Sequence, residues 1–193
     1  MLIGLALIVC FFTVPPAGGR LAALGEVRAA ATWLLYAGLA LQILVIEVVP
    51  GGAGSWHTSA HLASYGLVGA FAFANRGVPF VWLVALGGAL NLVAIAANGG
   101  VMPADPDAIA AAGLQHAAGE FANSAAVEGA RLQFLGDVMS IPAGWPAANV
   151  FSIGDVLLVA GVFLGLHTIC GSRFAWRRLA VPRRHAARAA SGG

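Results

Sequence analysis

The sequence predicts an all-α, polytopic integral membrane protein with five transmembrane helices and an outer loop subdomain. Of its 193 residues, 60% are hydrophobic and only 9% are charged, whereas an ordinary soluble domain carries roughly 25% charged residues. A soluble globule could not cover its surface with so few charges, and disorder requires low hydrophobicity and high charge. Five apolar stretches account for the excess, at residues 2–14, 29–49, 58–74, 78–97 and 153–170.

The five stretches differ in length, and about 20 apolar residues are needed to cross the core of a bilayer. The second, fourth and fifth meet that requirement, whereas the first and third are short. We expect the first stretch to be a retained span rather than a signal peptide. Its nearest arginines, Arg20 and Arg28, follow the apolar run instead of preceding it.

The positions of the arginines predict the orientation of the spans. All ten basic residues are arginine, and nine lie after the first span, after the third span or after the fifth. Arginine near the ends of spans is retained on the cytoplasmic side. The sequence therefore predicts a multi-pass protein of the bacterial cytoplasmic membrane, with its N-terminus outside and its C-terminus inside.

This topology divides the chain into five segments. They are 1–28, the first span and a cytoplasmic connector; 29–97, spans two to four; 98–152, the extracytoplasmic loop subdomain; 153–172, the fifth span; and 173–193, a basic cytoplasmic tail. In the loop subdomain, Asp105 and Pro106 predict the start of a short helix that ends at Gly113. The run 132–149 contains two glycines, two prolines and Trp145, so we expect an ordered aperiodic loop at the membrane interface.

Two aspartates are the first candidates for chemistry. Asp155 lies near the start of the fifth apolar stretch, and Ser152 three residues before it predicts a capping box, which would make the acid structural. Alternatively, Asp137 reaches the same membrane surface and faces Asp155 across a cleft. Two carboxyl groups at short range share one proton, so one could act as a base toward water while the other donates to a substrate.

Two asparagines in the fourth stretch are candidate binding residues. Asn91 and Asn98 are seven residues apart and therefore lie on one helix face, where they could bond neighbouring helices or line the cleft. Ser152 and Trp145 complete the candidate binding set together with Arg131, which could form salt bridges to the acids.

The histidines give a weak metal hypothesis. His57 and His61 are four residues apart on one helix face, and such a pair can hold zinc or copper. Further ligands would have to come from His116, Glu120 or the loop aspartates. We expect hydrated histidines and no metal or other cofactor. The basic tail is expected to lie near anionic lipid, so membrane lipids are expected partners and nucleic acid is not.

Two resemblances bear on function. The segment 136–162, with Trp145 and Pro146 between two aspartates 18 residues apart, resembles the last third of lipoprotein signal peptidase, an aspartyl enzyme of bacterial membranes. The resemblance implies that Asp137 and Asp155 are a catalytic dyad. Over the whole chain, the motifs NGGVMP at 98–103, FLGD at 134–137 and NVFSIGD at 149–155 resemble an uncharacterised family of bacterial membrane proteins.

Two functions therefore remain open. In the first, the protein is a binding or partner subunit that presents an outward-facing cleft and its outer loop to a lipid, a membrane protein or a peptide. In the second, it is a diverged membrane-embedded aspartyl hydrolase. We favour the first, because Ser152 stands where the peptidase family has asparagine and no Asp-Arg pair follows Leu92. Groups that position a dyad are thus missing, and positioning supplies much of catalysis.

Overall fold

The structure is a computed structural model that describes residues 2–45, 55–114 and 124–176. Its α-helices are α1 Leu2–Phe12, α2 Thr32–Ile43, α3 Ser55–Ala74, α4 Val81–Ala97, α5 Pro106–Ala112 and α6 Ile153–Cys170, with short 3₁₀ turns at Leu21–Glu26 and Gln133–Leu135. Strand β1 (Met102–Pro103) pairs in parallel with β2 (Ser124–Ala125). Strand β3 (Met139–Ile141) pairs antiparallel with β4 (Asn149–Phe151).

The central contact of the fold joins α4 to α6. Glycines allow it, because a side chain at several positions would collide with the opposite backbone. A Cβ atom at Gly87 would lie 2.8 Å from the backbone nitrogen of Leu158, and one at Gly161 would lie 2.8 Å from that of Val84. Helices that meet at small residues approach closely and pack by van der Waals contact.

The remaining helices surround this pair. Helix α1 packs on α6, α3 packs on α4, and α2 packs on α3, where Gly38 lies against the backbone oxygen of Ser64. Two backbone hydrogen bonds join the segment after α1 to the end of α6. The amide of Arg20 donates to the carbonyl of Cys170 over 2.9 Å, and that of Arg173 donates to the carbonyl of Ala17 over 3.0 Å. The first and last helices are therefore joined at one end of the bundle.

The prediction of five spans is not supported as it was made. Among the residues that the structure describes, α6 alone is long and apolar enough to cross a membrane by length and composition. Helices α1, α2 and α4 are apolar but shorter. Helix α3 has 20 residues, but its first two turns contain Trp56, Thr58, Ser59 and His61, which make it less apolar. The apolar stretch at 29–49 runs past Ile43 into residues outside the described ranges.

Large apolar side chains are exposed on the outer faces of the helices. Phe12 of α1, Tyr36 of α2, Phe73 of α3 and Trp82 of α4 are 68%, 68%, 72% and 58% exposed. The buried set, by contrast, contains polar residues such as Asn91. The described helices therefore expose large apolar side chains, and their interior contains polar residues beside apolar ones.

The segment between α4 and α6 is ordered where it is described. Helix α5 begins as predicted, because the carboxylate of Asp105 accepts the amide of Asp107 and Pro106 occupies the first helical position. It ends at Gly113, whose φ of 67° is left-handed. The expectation of an aperiodic loop over 132–149 is wrong in part, because β3 and β4 form a hairpin there. The prolines and Gly144 lie in the hairpin turn, which leaves the flanking residues free to pair.

Candidate functional site

The start of α6 is built by Ser152 and Asp155. The hydroxyl of Ser152 accepts the amide of Asp155 over 3.1 Å, and Oδ2 of Asp155 accepts the amide of Ser152 over 3.0 Å. This reciprocal arrangement is the predicted capping box. Both residues are buried, with Ser152 fully enclosed. The cap therefore places a carboxylate at the inner surface of the bundle, not in solvent.

Asn91 connects this cap to α4. Its side-chain nitrogen donates to Oδ1 of Asp155 over 2.7 Å, while its Oδ1 accepts the hydroxyl of Ser152 over 2.9 Å. The three side chains thus form a closed hydrogen-bonded ring across the α4–α6 contact. Gly154 makes room for it, because a Cβ atom there would collide with Oδ1 of Asn91. The ring fixes the orientation of the Asp155 carboxylate.

Asp137 reaches the site from the loop segment. Its backbone continues the short sheet, since its amide donates to the carbonyl of Pro103 over 2.9 Å and its carbonyl accepts the amide of Asp105 over 3.0 Å. The Ser124 hydroxyl on β2 donates to its Oδ2 over 2.5 Å. The backbone of Asp137 is thus held by the segment 103–105, and its side chain is held by Ser124 on β2.

The environment of Asp137 favours its protonated form. Burial raises the pKa of this carboxyl group to about 6, the hydrogen bond from Ser124 opposes that rise, and the charge of Asp155 adds to it. The two aspartates are therefore close enough to interact electrostatically. A carboxyl group with a pKa near 6 can exchange a proton close to neutral pH.

Both acids line one cavity of about 920 Å³ inside the bundle. Its polar lining includes Asn91, Ser124, Asn149, Tyr65 and Gln42, and its remaining walls are mainly apolar residues of α1 to α4 and α6. Such a site can bind a ligand that has one polar group and a larger apolar part. Asp155 also lines a second, smaller cavity of about 570 Å³ between α1 and α6.

The structure does not bring the other predicted binding residues to this cavity. The Asn98 side chain donates to the carbonyls of Ala94 and Arg131 and accepts the amide of Arg131, all within 2.9 Å. Asn98 and Arg131 therefore tie the end of α4 to the loop segment through the Arg131 backbone. Trp145 is 69% exposed in the turn between β3 and β4.

The histidine pair does not assemble a metal centre in the part of the chain that is described. His61 is fully buried, and its Nδ1 lies 3.3 Å from the carbonyl oxygen of Gly100. The ring of Tyr65 lies 5.5 Å from that of His61. The side chain of His57 and the whole of His116 and Glu120 lie outside the described residues. No group of three His, Cys, Asp or Glu residues is placed to hold a metal ion within 2–45, 55–114 and 124–176.

Four polar residues of the cavity were not among the predicted site residues, namely Gln42, Tyr65, Ser124 and Asn149. No sequence pattern indicated Ser124 as a site residue, because only the pairing of β1 with β2 brings it to Asp137. Tyr65 lies four residues after His61 on α3, so the helical period could have indicated it. Asn149 opens the NVFSIGD motif and could have been included on that ground.

These features define a class: a mostly helical protein in which one helix of the described ranges is long and apolar enough to cross a membrane, with a buried acid site where that helix begins. The chain belongs to a family of unknown function, DUF5317, whose model matches residues 26–167. The matched region contains Asn91, Asp137, Ser152 and Asp155.

The chain is also similar to an uncharacterized protein of Thermotoga maritima. The two are 28% identical over 131 residues, which cover 67% of this chain and 73% of the relative. No solved structure matches the chain. The comparisons therefore establish the family and leave its biochemical role to be argued from the site.

Proposed function

We propose that this chain is a multi-pass membrane protein that binds a ligand in the cavity lined by Asp137 and Asp155. One observation carries the proposal. Two carboxyl groups and the Asn91 carboxamide converge at one end of a cavity whose other walls are mainly apolar helix faces. A polar group of the ligand would meet the acids while its apolar part lies between the helices. The ligand would be a membrane lipid or a segment of a membrane protein or peptide.

The exposed apolar faces support several spans rather than one. Phe12, Tyr36, Phe73 and Trp82 lie on four different helices, and water would solvate none of them well. Helices shorter than about 20 residues can still span when the bilayer thins locally or flanking side chains snorkel. This arrangement favours a bundle embedded in the bacterial cytoplasmic membrane.

The two ends of the bundle carry opposite charge, which supports the proposed orientation. Arg20 and Arg173 lie together at the end where α1 and α6 are joined. The acids Asp137 and Asp155 lie at the other end, where α6 begins. Retention of arginine on the cytoplasmic side would place the acid site and the loop segment outside.

The hydrogen bonds of the acids favour binding over hydrolysis. An aspartyl hydrolase presents two carboxyl groups to one water molecule. Here both oxygens of Asp155 accept hydrogen bonds, from Asn91 and from the Ser152 amide. Asp155 thus serves first as part of the α6 cap, and Asp137 alone retains an oxygen without a hydrogen bond to a described residue.

A diverged aspartyl hydrolase, resembling lipoprotein signal peptidase, is the second candidate function. It is favoured by the shared cavity and by the pKa of Asp137, which burial raises to about 6. A proton could then leave Asp137 during attack of water on a carbonyl group. The same two aspartates serve both candidates, so the experiment must separate retention of a ligand from its cleavage.

The test uses the full chain in nanodiscs of phosphatidylethanolamine and phosphatidylglycerol. The protein is released from the nanodiscs in the mass spectrometer, and molecules that stay bound to it are detected by their mass. We expect the wild type to retain a bound molecule that Asp137→Asn loses, whereas Glu128→Gln, at an exposed site, keeps it. Identical retention by all three proteins would overturn binding at the acid site. Incubation with a prolipoprotein signal peptide tests the alternative. Cleavage by the wild type and not by Asp137→Asn would establish hydrolysis.

A further inference from the structure

The shape and charge of the cavity restrict its ligand. Resting on the proposed function, we propose that the site takes a single-chain amphiphile with a cationic, hydrogen-bond-donating head group such as a primary ammonium. The head lies at Asp137 and Asp155, and the chain lies along the cavity-lining faces of α4 and α6. Length, volume and charge carry this inference independently of one another.

The cavity runs along the length of two helices. On α4 its lining residues extend from Ile95 to Val81, and on α6 from Asp155 to Ile169. Fourteen residues at 1.5 Å per residue correspond to about 21 Å. With carbon–carbon bonds of about 1.5 Å, a zigzag chain of roughly 16 carbons spans that distance. An elongated chain therefore fits the site better than a compact ring system.

The volume of the cavity limits the number of chains. At about 30 Å³ for each water-sized group, a cavity of about 920 Å³ holds roughly 30 such groups. One chain of about 16 carbons with a small head group fits within this number. Two such chains with their head groups need roughly 34 groups, slightly more than this volume holds, so one chain fits with the least crowding.

The lining carries negative charge without a basic partner. Among the described residues that line the cavity there are two aspartates and no arginine, lysine or histidine. An anionic head group would add a third acid to this end, whereas an ammonium pairs with a carboxylate through charge-assisted hydrogen bonds. Ser124 donates to Oδ2 of Asp137, and Oδ1 accepts no hydrogen bond from a described residue, so Oδ1 is the expected acceptor for the ammonium group.

Gly88 provides a way to fill the cavity without disturbing the helix contact. It lines the cavity on α4, and a Cβ atom there would have no neighbour within 4 Å. A leucine at this position would project into the space assigned to the chain. Gly66 on α3 is a matched control, because it also has open space around it but does not line the cavity.

The experiment compares two photoreactive probes in nanodiscs, hexadecylamine and hexadecanoic acid, each with a diazirine close to the head group, where Leu92 and Leu158 line the cavity. We expect the amine to label cavity residues such as Leu92 and Leu158, at least fivefold above the acid. Both probes should label the outer face at Leu86 and Val93 to a similar extent. Gly88→Leu should reduce interior labelling by the amine at least fivefold, and Gly66→Leu should leave it unchanged.

A competition assay on the wild type tests the proposal without a variant. Unlabelled hexadecylamine should displace the amine probe from Leu92, and unlabelled hexadecanoic acid should not. Preferential interior labelling by the acid, or equal competition by both compounds, would overturn the cationic head group while ligand binding itself stands. If neither probe labels the interior and no molecule is retained in the mass spectra, the proposed function fails as well.

Discussion

The side-chain amide of Asn91 on α4 donates to the Asp155 carboxylate on α6 over 2.7 Å, inside the bundle. The contact joins two residues that are 64 positions apart in the chain. The hydrogen bond gives Oδ1 of the buried Asp155 carboxylate a donor. Without it this oxygen would have none, and an unpaired buried charge is costly. The following predictions test this contact and the residues around it.

Removal of the amide should weaken the bundle. Asn91→Ala leaves Oδ1 of Asp155 and the hydroxyl of Ser152 without their partner, and each buried group left unsatisfied costs about 1–3 kcal/mol. Thermal unfolding in detergent, followed by tryptophan fluorescence, should therefore shift to lower temperature. Gln133→Ala, at an exposed site in a 3₁₀ turn, should unfold like the wild type. An unchanged transition for Asn91→Ala would show that the ring contributes little.

Gly154→Ala should be more disruptive than its size suggests. The added methyl group would collide with Oδ1 of Asn91 and lie close to the carbonyl of Gly87, so α4 and α6 would have to separate. Gly66→Ala is the matched control, because nothing lies within 4 Å of its Cβ position. That control should be neutral or stabilising by up to about 1 kcal/mol. Equal unfolding temperatures for the two variants would contradict the close helix contact.

The hydroxyl of Ser152 should contribute through two partners. It accepts the Asp155 amide and donates to Asn91, so Ser152→Ala loses a cap, which costs about 0.5–2 kcal/mol, and a side-chain contact. A double-mutant cycle with Asn91→Ala should therefore be non-additive by at least about 0.5 kcal/mol. Strict additivity would mean that the capping box and Asn91 act separately.

Stability should depend on pH through Asp137. Because burial raises the pKa of this group from 3.8 to about 6, folding favours its protonated form. The contribution is complete below pH 4 and is lost as the pH rises through 6. At about 1.4 kcal/mol per pKa unit, it amounts to at most roughly 3 kcal/mol.

The unfolding temperature of the wild type should accordingly fall between pH 4.5 and pH 7.5. Asp137→Asn cannot ionise, and its side-chain oxygen can still accept the Ser124 hydroxyl, so its fall should be smaller. Glu128→Gln, which changes an exposed acid, should behave like the wild type. A wild-type curve that matches that of Asp137→Asn at every pH would exclude this assignment.

Features that depend on neighbours in sequence could be predicted. The capping box of Ser152 and Asp155 and the start of α5 at Asp105 are formed by residues within three positions of each other. Their geometry follows from the local backbone alone. The contact of Ser124 with Asp137 depends on parallel pairing of β1 with β2, which the composition of two-residue strands cannot specify. The role of Asn98 was likewise misassigned, because its partner is a backbone group 33 residues away.

Gly154 shows how the choice of a residue is explained by a neighbour that is distant in the chain. The local sequence pattern provides no reason for glycine at this position. The structure supplies one, because Asn91 occupies the space that the methyl group would need. The number of spans could not be derived in the same way, since apolar stretches do not reveal where each helix ends. Helix α2, for example, begins only at Thr32, because the backbone of Ala31 before it is in the left-handed conformation.

The two backbone hydrogen bonds that join Arg20 to Cys170 and Arg173 to Ala17 impose an order on biogenesis. At about 5–20 residues per second, a ribosome needs roughly 8–30 s to proceed from residue 20 to residue 170. Throughout that interval the first helix lacks its contact with α6. The side chain of Asn91 likewise has no Asp155 carboxylate to bond until the ribosome reaches residue 155. The hydrogen-bonded ring of Asn91, Ser152 and Asp155 therefore cannot assemble in a nascent chain that stalls before α6.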